Sequence, residues 1–199
     1  MTTPPDPAAV PVAPRASAWN LPNALTVLRI CMVPLFLWLL LSESGESEGH
    51  RWWAAVVFLV ASLTDWLDGD LARRRGLVTN FGKIADPIAD KALMGSALIG
   101  LSLLSELPWW ITVVILVREL GITALRFWVI RSAVIAASKG GKLKTLLQAI
   151  GLLLLITPLT GALSTLGLWI MYAAVVVTVV TGVDYVVQAL RLRRNAAGR

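Results

Sequence analysis

Polar residues in this chain come in short clusters that separate long apolar runs, and the lengths of those runs set the first expectation. Apolar stretches cover about 24–41, 51–71, 85–104, 108–130, 143–160 and 166–190. Each is close to the roughly 20 residues a helix needs to cross the hydrocarbon of a bilayer. No water is available there to satisfy a backbone, so each run is expected to be helical. The pattern predicts an all-α integral membrane protein with six transmembrane helices. The last two runs are separated only by Pro158, Gly161 and Gly167. Ahead of the first run, Trp19-Asn20-Leu21-Pro22-Asn23 predicts a short amphipathic segment at the interface, where Trp is favoured. Residues 1–18, rich in Pro and Ala, read as a disordered tail without the hydrophobic region of a signal peptide. Residues 19–190 read as one six-span domain, and 191–199 as a basic cytoplasmic tail.

Composition strengthens the membrane reading. The 199 residues are 57% hydrophobic and only 15% charged, with a mean hydropathy of +0.74. A soluble domain of this length needs more charged surface. The net charge of +6 does not point to nucleic acid, because the Lys and Arg lie between apolar runs instead of forming one basic domain. Anionic lipid head groups or a phosphorylated substrate fit better. The basic residues also set orientation. Arg73, Arg74, Arg75 and Lys83 fall after the second run, Arg131, Lys139, Lys142 and Lys144 after the fourth, and Arg191, Arg193, Arg194 and Arg199 after the sixth. Both termini are therefore expected in the cytoplasm. A single cysteine, Cys31, excludes an intrachain disulfide framework. The only histidine, His50, falls in an outer loop, away from any expected chemistry.

The candidate chemistry lies in aspartates. Asp65 and Asp68 sit three apart at the cytoplasmic end of the second run, and Asp86 and Asp90 sit four apart at the start of the third. Both spacings put the pair on one helix face. A short basic hairpin between the runs brings the two faces together. Four carboxylates at one point repel, and burying even one near a membrane costs several kcal/mol unless it is compensated. Hard divalent cations such as Mg²⁺ or Mn²⁺ prefer oxygen ligands, and two of them ~3.5–4 Å apart are a recurrent device in phosphoryl transfer. Gly69, Ala72 and Gly82 leave room for close approach of helices or ligand. Arg73, one turn from Gly69, is placed to clamp a pyrophosphate. Asp70 lies off the Asp65–Asp68 face, which fits a solvated or Arg-paired role. Asp184, late in the sixth run, either pairs with Arg191 or faces a dimer interface.

The run Asp65-x-x-Asp68-Gly69-x-x-Ala72-Arg73, followed after eight residues by Gly82-x-x-x-Asp86-x-x-x-Asp90, is similar to the complete signature of the CDP-alcohol phosphatidyltransferases. No fixed position departs from it. Asn20 to Arg29, Thr79 to Lys83, Arg118-Glu119-Leu120, Arg126 and Gly141 to Thr145 extend the likeness over about Asn20 to Gln148. The resemblance implies a six-helix homodimer in a bacterial inner membrane. It implies two Mg²⁺ or Mn²⁺ ions held by Asp65, Asp68, Asp86 and Asp90, with Asp90 also the proton acceptor. Gly69, Arg73 and Thr79 would contact the CDP part of a CDP-diacylglycerol donor, with Arg29 a further candidate. The acceptor implied is sn-glycerol 3-phosphate. Its phosphate needs fixed cations, for which Arg118, Arg126, Lys142 and Lys144 are candidates, with Glu119 orienting one of them. A plain Arg118–Glu119 ion pair is the bland alternative.

Two other readings stand beside this one. A sibling transferase would use the same donor with inositol phosphate, serine or phosphatidylglycerol. A divalent cation transporter would use the same aspartates, although transport sites usually lie near the membrane midplane and gain nothing from an arginine clamp.

Overall fold

Each apolar run folds as one helix in the computed structural model of the chain. It describes residues 21–75, 79–129 and 139–197, apart from the side chains of 21–22, 65–75, 80–81, 83–84, 126–129, 139–140 and 192–197. The order is α1 (Leu21–Leu41), a 3₁₀ turn (Ser42–Gly45), α2 (Glu48–Arg75), α3 (Asn80–Leu103), α4 (Trp109–Val129), α5 (Lys139–Ile156) and α6 (Ala162–Ala197). No strand occurs among the described residues.

Several boundaries differ from the sequence expectation: α3 begins at Asn80, α5 covers Lys139–Ile156 and α6 begins at Ala162. Leu21, Pro22 and Asn23 form the first turn of α1 instead of a separate interfacial segment; Pro is tolerated there because a first-turn N–H has no intrahelical partner. Trp19 and Asn20, with the expected disordered tail, lie outside the described residues. Further along, α2 runs on to Arg75 and α6 to Ala197. The extra residues are mostly Leu, Ala and Arg, which are good helix formers, so those helices do not stop where the apolar run stops. Most of the expected basic tail is thus helix.

The exterior is far more apolar than that of a soluble protein, and several polar side chains are buried. Trp38, Val117, Leu120, Trp169, Val176 and Val180 each leave more than 60% of their surface exposed, whereas Thr26, Arg29, Lys144 and Thr178 are buried. An apolar exterior of this extent needs a lipid solvent. Two described helical stretches, Asn23–Gly45 and Ala162–Arg191, are long and apolar enough to cross a membrane. The chain is a helical membrane protein.

α1 packs on α2 and α3, while α6 packs on α5 and α4. The core between them includes Phe36, Phe58, Leu98, Leu101, Ile111, Ile115 and Leu152, with the Phe36 and Phe58 rings 5.7 Å apart. The α5–α6 approach is close enough that a Cβ at Gly151 would stand 2.8 Å from Met171 Sδ. One end of the bundle is closed by Arg51, which donates to the Ile156 carbonyl (3.0 Å), to the Leu155 carbonyl and, in bidentate fashion, to Glu106. The other end gathers the starts of α1, α3 and α5 with the ends of α2, α4 and α6, and there the aspartates lie.

Candidate active site

The start of α3 is fixed by α1. Thr79 is the N-cap of α3: its Oγ1 accepts from the Gly82 N–H at 3.0 Å and donates to Asn23 Oδ1 at 2.9 Å. One turn along α1, Thr26 Oγ1 donates to Asp86 Oδ1 at 2.5 Å. One turn further, fully buried Arg29 donates Nε to the Ala61 carbonyl of α2 at 3.1 Å. Asn23, Thr26 and Arg29 therefore form a polar stripe on the inner face of an otherwise apolar helix, and each holds a different part of the site.

Asp90 follows Asp86 by one turn of α3 and lines two cavities. The larger, about 660 Å³, lies between α2 and α5. Its walls are apolar at Phe58, Leu63, Leu146 and Leu153, and polar at Arg29, Ser62, Asp90, Lys142 and Thr145. Ser62 Oγ is buried and has no hydrogen-bond partner among the described residues. The smaller cavity, about 80 Å³, is lined by Asp90, Lys91, Glu119, Lys144, Thr145 and Gln148. A lipid carrying a charged head group matches the mixed character of the larger space.

Behind the smaller cavity, α4, α5 and α6 share a charged network. Buried Lys144 on α5 pairs with Glu119 on α4. Arg118 meets the same carboxylate at 3.2 Å and donates to Thr181 of α6 at 3.1 Å. Gly182 gives it space: a Cβ there would lie 3.2 Å from Arg118 Cγ. Gln148 of α5 reaches Thr178 of α6 at 3.3 Å.

The residues singled out in the sequence are distributed as follows. Asp86, Asp90, Arg29, Lys142 and Lys144 converge on one end of the bundle. Lys142 is exposed on the wall of the larger cavity. Arg118 lines neither cavity and faces α6. Thr79 is occupied in capping α3. Asp65, Asp68, Gly69 and Arg73 lie on the last turns of α2, and Arg126 on the end of α4; their side chains fall outside the described residues. Asp184 accepts from Gln188 one turn on, at 2.8 Å. Asn23, Thr26 and Ser62 were not anticipated as site residues. Asn23, Thr26 and Arg29 recur at intervals of three in an apolar helix, and that spacing was the available signal.

The donors present fit a hard cation: Asp86 and Asp90 offer carboxylate oxygens one turn apart. Among the described residues no three ligating side chains cluster. A fuller set needs Asp65 and Asp68, carried by the neighbouring end of α2.

The sequence model of the CDP-alcohol phosphatidyltransferases matches residues 19–180. The chain belongs to the CDP-alcohol phosphatidyltransferase family. The match runs from the residues before α1 to the middle of α6, so every helix lining the site lies within it. Among similar proteins, one from Mycobacterium tuberculosis named probable phosphatidylglycerophosphate synthase is 54% identical over 90% of this chain and 86% of its own length. A Bacillus subtilis CDP-diacylglycerol–glycerol-3-phosphate 3-phosphatidyltransferase is 40% identical over 84% of this chain and 93% of its own. A protein of the same name from Rickettsia bellii is 37% identical over 83% and 93%. Membership of this phosphatidyltransferase family sets aside the cation-transporter reading.

Proposed function

We propose that this chain transfers the phosphatidyl group of CDP-diacylglycerol to sn-glycerol 3-phosphate, giving phosphatidylglycerol phosphate and CMP. The observation that carries the reading is the position of Asp90, which belongs to the walls of both cavities. A group that takes a proton from one substrate while the other is attacked has to reach both. Relatives that carry the same activity in their names cover more than four-fifths of the chain.

In this reading the donor's acyl chains lie along the apolar wall of the larger cavity, and its pyrophosphate lies at the polar end near Arg29 and the end of α2. The acceptor phosphate is held by cations drawn from Lys142, Lys144, Arg118 and Arg126. Asp90 accepts the proton of the acceptor hydroxyl as general base. That oxygen forms a bond to the lipid-bearing phosphorus, and the bond from this phosphorus to the CMP oxygen breaks. The walls hold the two substrates in line, which lowers the entropic part of the barrier. Two Mg²⁺ or Mn²⁺ ions, held by Asp65, Asp68, Asp86 and Asp90, would neutralise the pyrophosphate and make CMP a better leaving group. We place the site at the cytoplasmic face of a bacterial inner membrane, in a homodimer whose protomers each span the bilayer six times with both termini inside. The lysines and arginines concentrated at the site end support that orientation.

The deciding experiment supplies purified protein in lipid nanodiscs with labelled CDP-diacylglycerol and a panel of acceptors. CMP release that depends on glycerol 3-phosphate is the expected result. A higher kcat/KM with inositol phosphate, serine or phosphatidylglycerol would transfer the assignment to that sibling reaction.

A further inference from the structure

We propose that Thr26 is a positioning residue for metal ligation: it orients the Asp86 carboxylate so that one oxygen is held by the protein and the other is presented to a divalent cation. The inference rests on the metal reading above and adds a residue to it.

A carboxylate on a free rotor offers its oxygens in many directions, and a hard cation at a fixed site needs one of them. Asp86 is partly exposed on the first turns of α3. Thr26 approaches from α1. It is 1% exposed, and its hydroxyl donates to Oδ1 at 2.5 Å. Oδ2 lies on the Gly82 side, 3.6 Å from where a Cβ on Gly82 would stand.

The position of Thr26 is itself enforced. One turn earlier on α1, Asn23 Oδ1 accepts from Thr79, and Thr79 accepts from the Gly82 N–H. A Cβ on Gly82 would come within 3.0 Å of Asn23 Oδ1 and 3.3 Å of Thr79 Oγ1. The first turn of α1 is thus locked in register with the first turn of α3. A hydroxyl suits this task better than a cation would. It holds the carboxylate by a hydrogen bond without neutralising the charge that attracts the metal.

The test compares Thr26→Val, which keeps the shape and removes the donor, with Thr26→Ser, which keeps the donor. Mn²⁺ binding is measured directly by electron paramagnetic resonance on protein in nanodiscs, beside the metal dependence of turnover and the thermal midpoint in chelator. Thr26→Val is expected to weaken Mn²⁺ binding about 10- to 100-fold, the usual loss for an outer partner of a metal ligand. Thr26→Ser should restore it, and the midpoint in chelator should change little. If Thr26→Val binds Mn²⁺ like the parent, or if Thr26→Ser is as weak as Thr26→Val, the positioning role is overturned. Asp86→Asn is the control. A parent protein that binds no more Mn²⁺ than Asp86→Asn would overturn the metal reading itself and Thr26's role with it.

Discussion

Lys144 and Glu119 form an ion pair between α5 and α4, and the same carboxylate also meets Arg118. Two cations thus share one partly exposed anion beside the smaller cavity, leaving the trio one positive charge in excess. An excess positive charge in a protected place is what a phosphate dianion needs. Lys144→Gln keeps most of the length and removes the charge. The expected result is a KM for glycerol 3-phosphate raised at least ~10-fold, with the KM for CDP-diacylglycerol within about twofold, read from initial rates with each substrate varied. Equal effects on both substrates would reduce the trio to a strut between helices.

Asp90→Asn tests the base. The amide preserves shape and one oxygen but accepts no proton at neutral pH. Turnover is expected to fall by about 10²–10⁴ while CDP-diacylglycerol still binds. Single-turnover CMP release, measured beside donor binding and Mn²⁺ binding to the same protein, separates loss of the base from loss of a metal ligand. Undiminished release would end the assignment of Asp90 as proton acceptor.

Much of this arrangement was legible in the chain because it depends on local sequence. Runs of membrane-spanning length mark the helices, and the four-residue step from Asp86 to Asp90 marks one face of α3. The helix ends were less legible: hydropathy stops where the apolar residues stop, whereas Leu, Ala and Arg carry α2 and α6 further as helix. The pairing of Arg118 with its sequence neighbour Glu119 was legible, whereas the partners drawn from other helices were not. Thr26 lies 60 positions before Asp86 and Glu119 lies 25 before Lys144, so each pairing exists only once helices have packed. Charge and position along the chain marked Arg118 and Lys144 as candidate phosphate contacts; the hold of Lys144 on Glu119 follows from the meeting of α4 with α5. Thr79, a donor contact by resemblance, caps α3 and lines neither cavity.

Gly82→Ala tests the lock between α1 and α3. The added methyl would press on Asn23 Oδ1 and Thr79 Oγ1, which must give by a few tenths of an ångström and so disturb the bond that ties the two helix starts. Activity is expected to fall about tenfold or more, because small displacements at a reacting centre cost rate heavily. Asn23→Ala removes the nearer atom but also its bond to Thr79. The double variant should therefore lose less than the sum of the two single losses, with a coupling of about 0.5–3 kcal/mol. Strict additivity of the kcat/KM losses would show that the methyl acts elsewhere.

The far end of the bundle offers a contrasting prediction, since Arg51 carries no expected chemistry. It is 8% exposed and joins α2 to Glu106 and to the last carbonyls of α5. Glu106→Ala leaves that guanidinium buried without its counter-charge, although the Leu155 and Ile156 carbonyls still accept from it. Removing one partner of a buried pair costs about 3–5 kcal/mol; with Glu106 itself a third exposed, the lower end of that range, about 3 kcal/mol, is expected. The thermal midpoint in detergent should drop by several degrees, while kcat per folded molecule at low temperature stays unchanged. Replacing both partners by apolar residues, Arg51→Met with Glu106→Leu, should recover most of the loss, since a well-packed apolar pair often matches a buried ion pair. A fall in kcat in Glu106→Ala at full folding would mean that this clamp communicates with the aspartates at the opposite end.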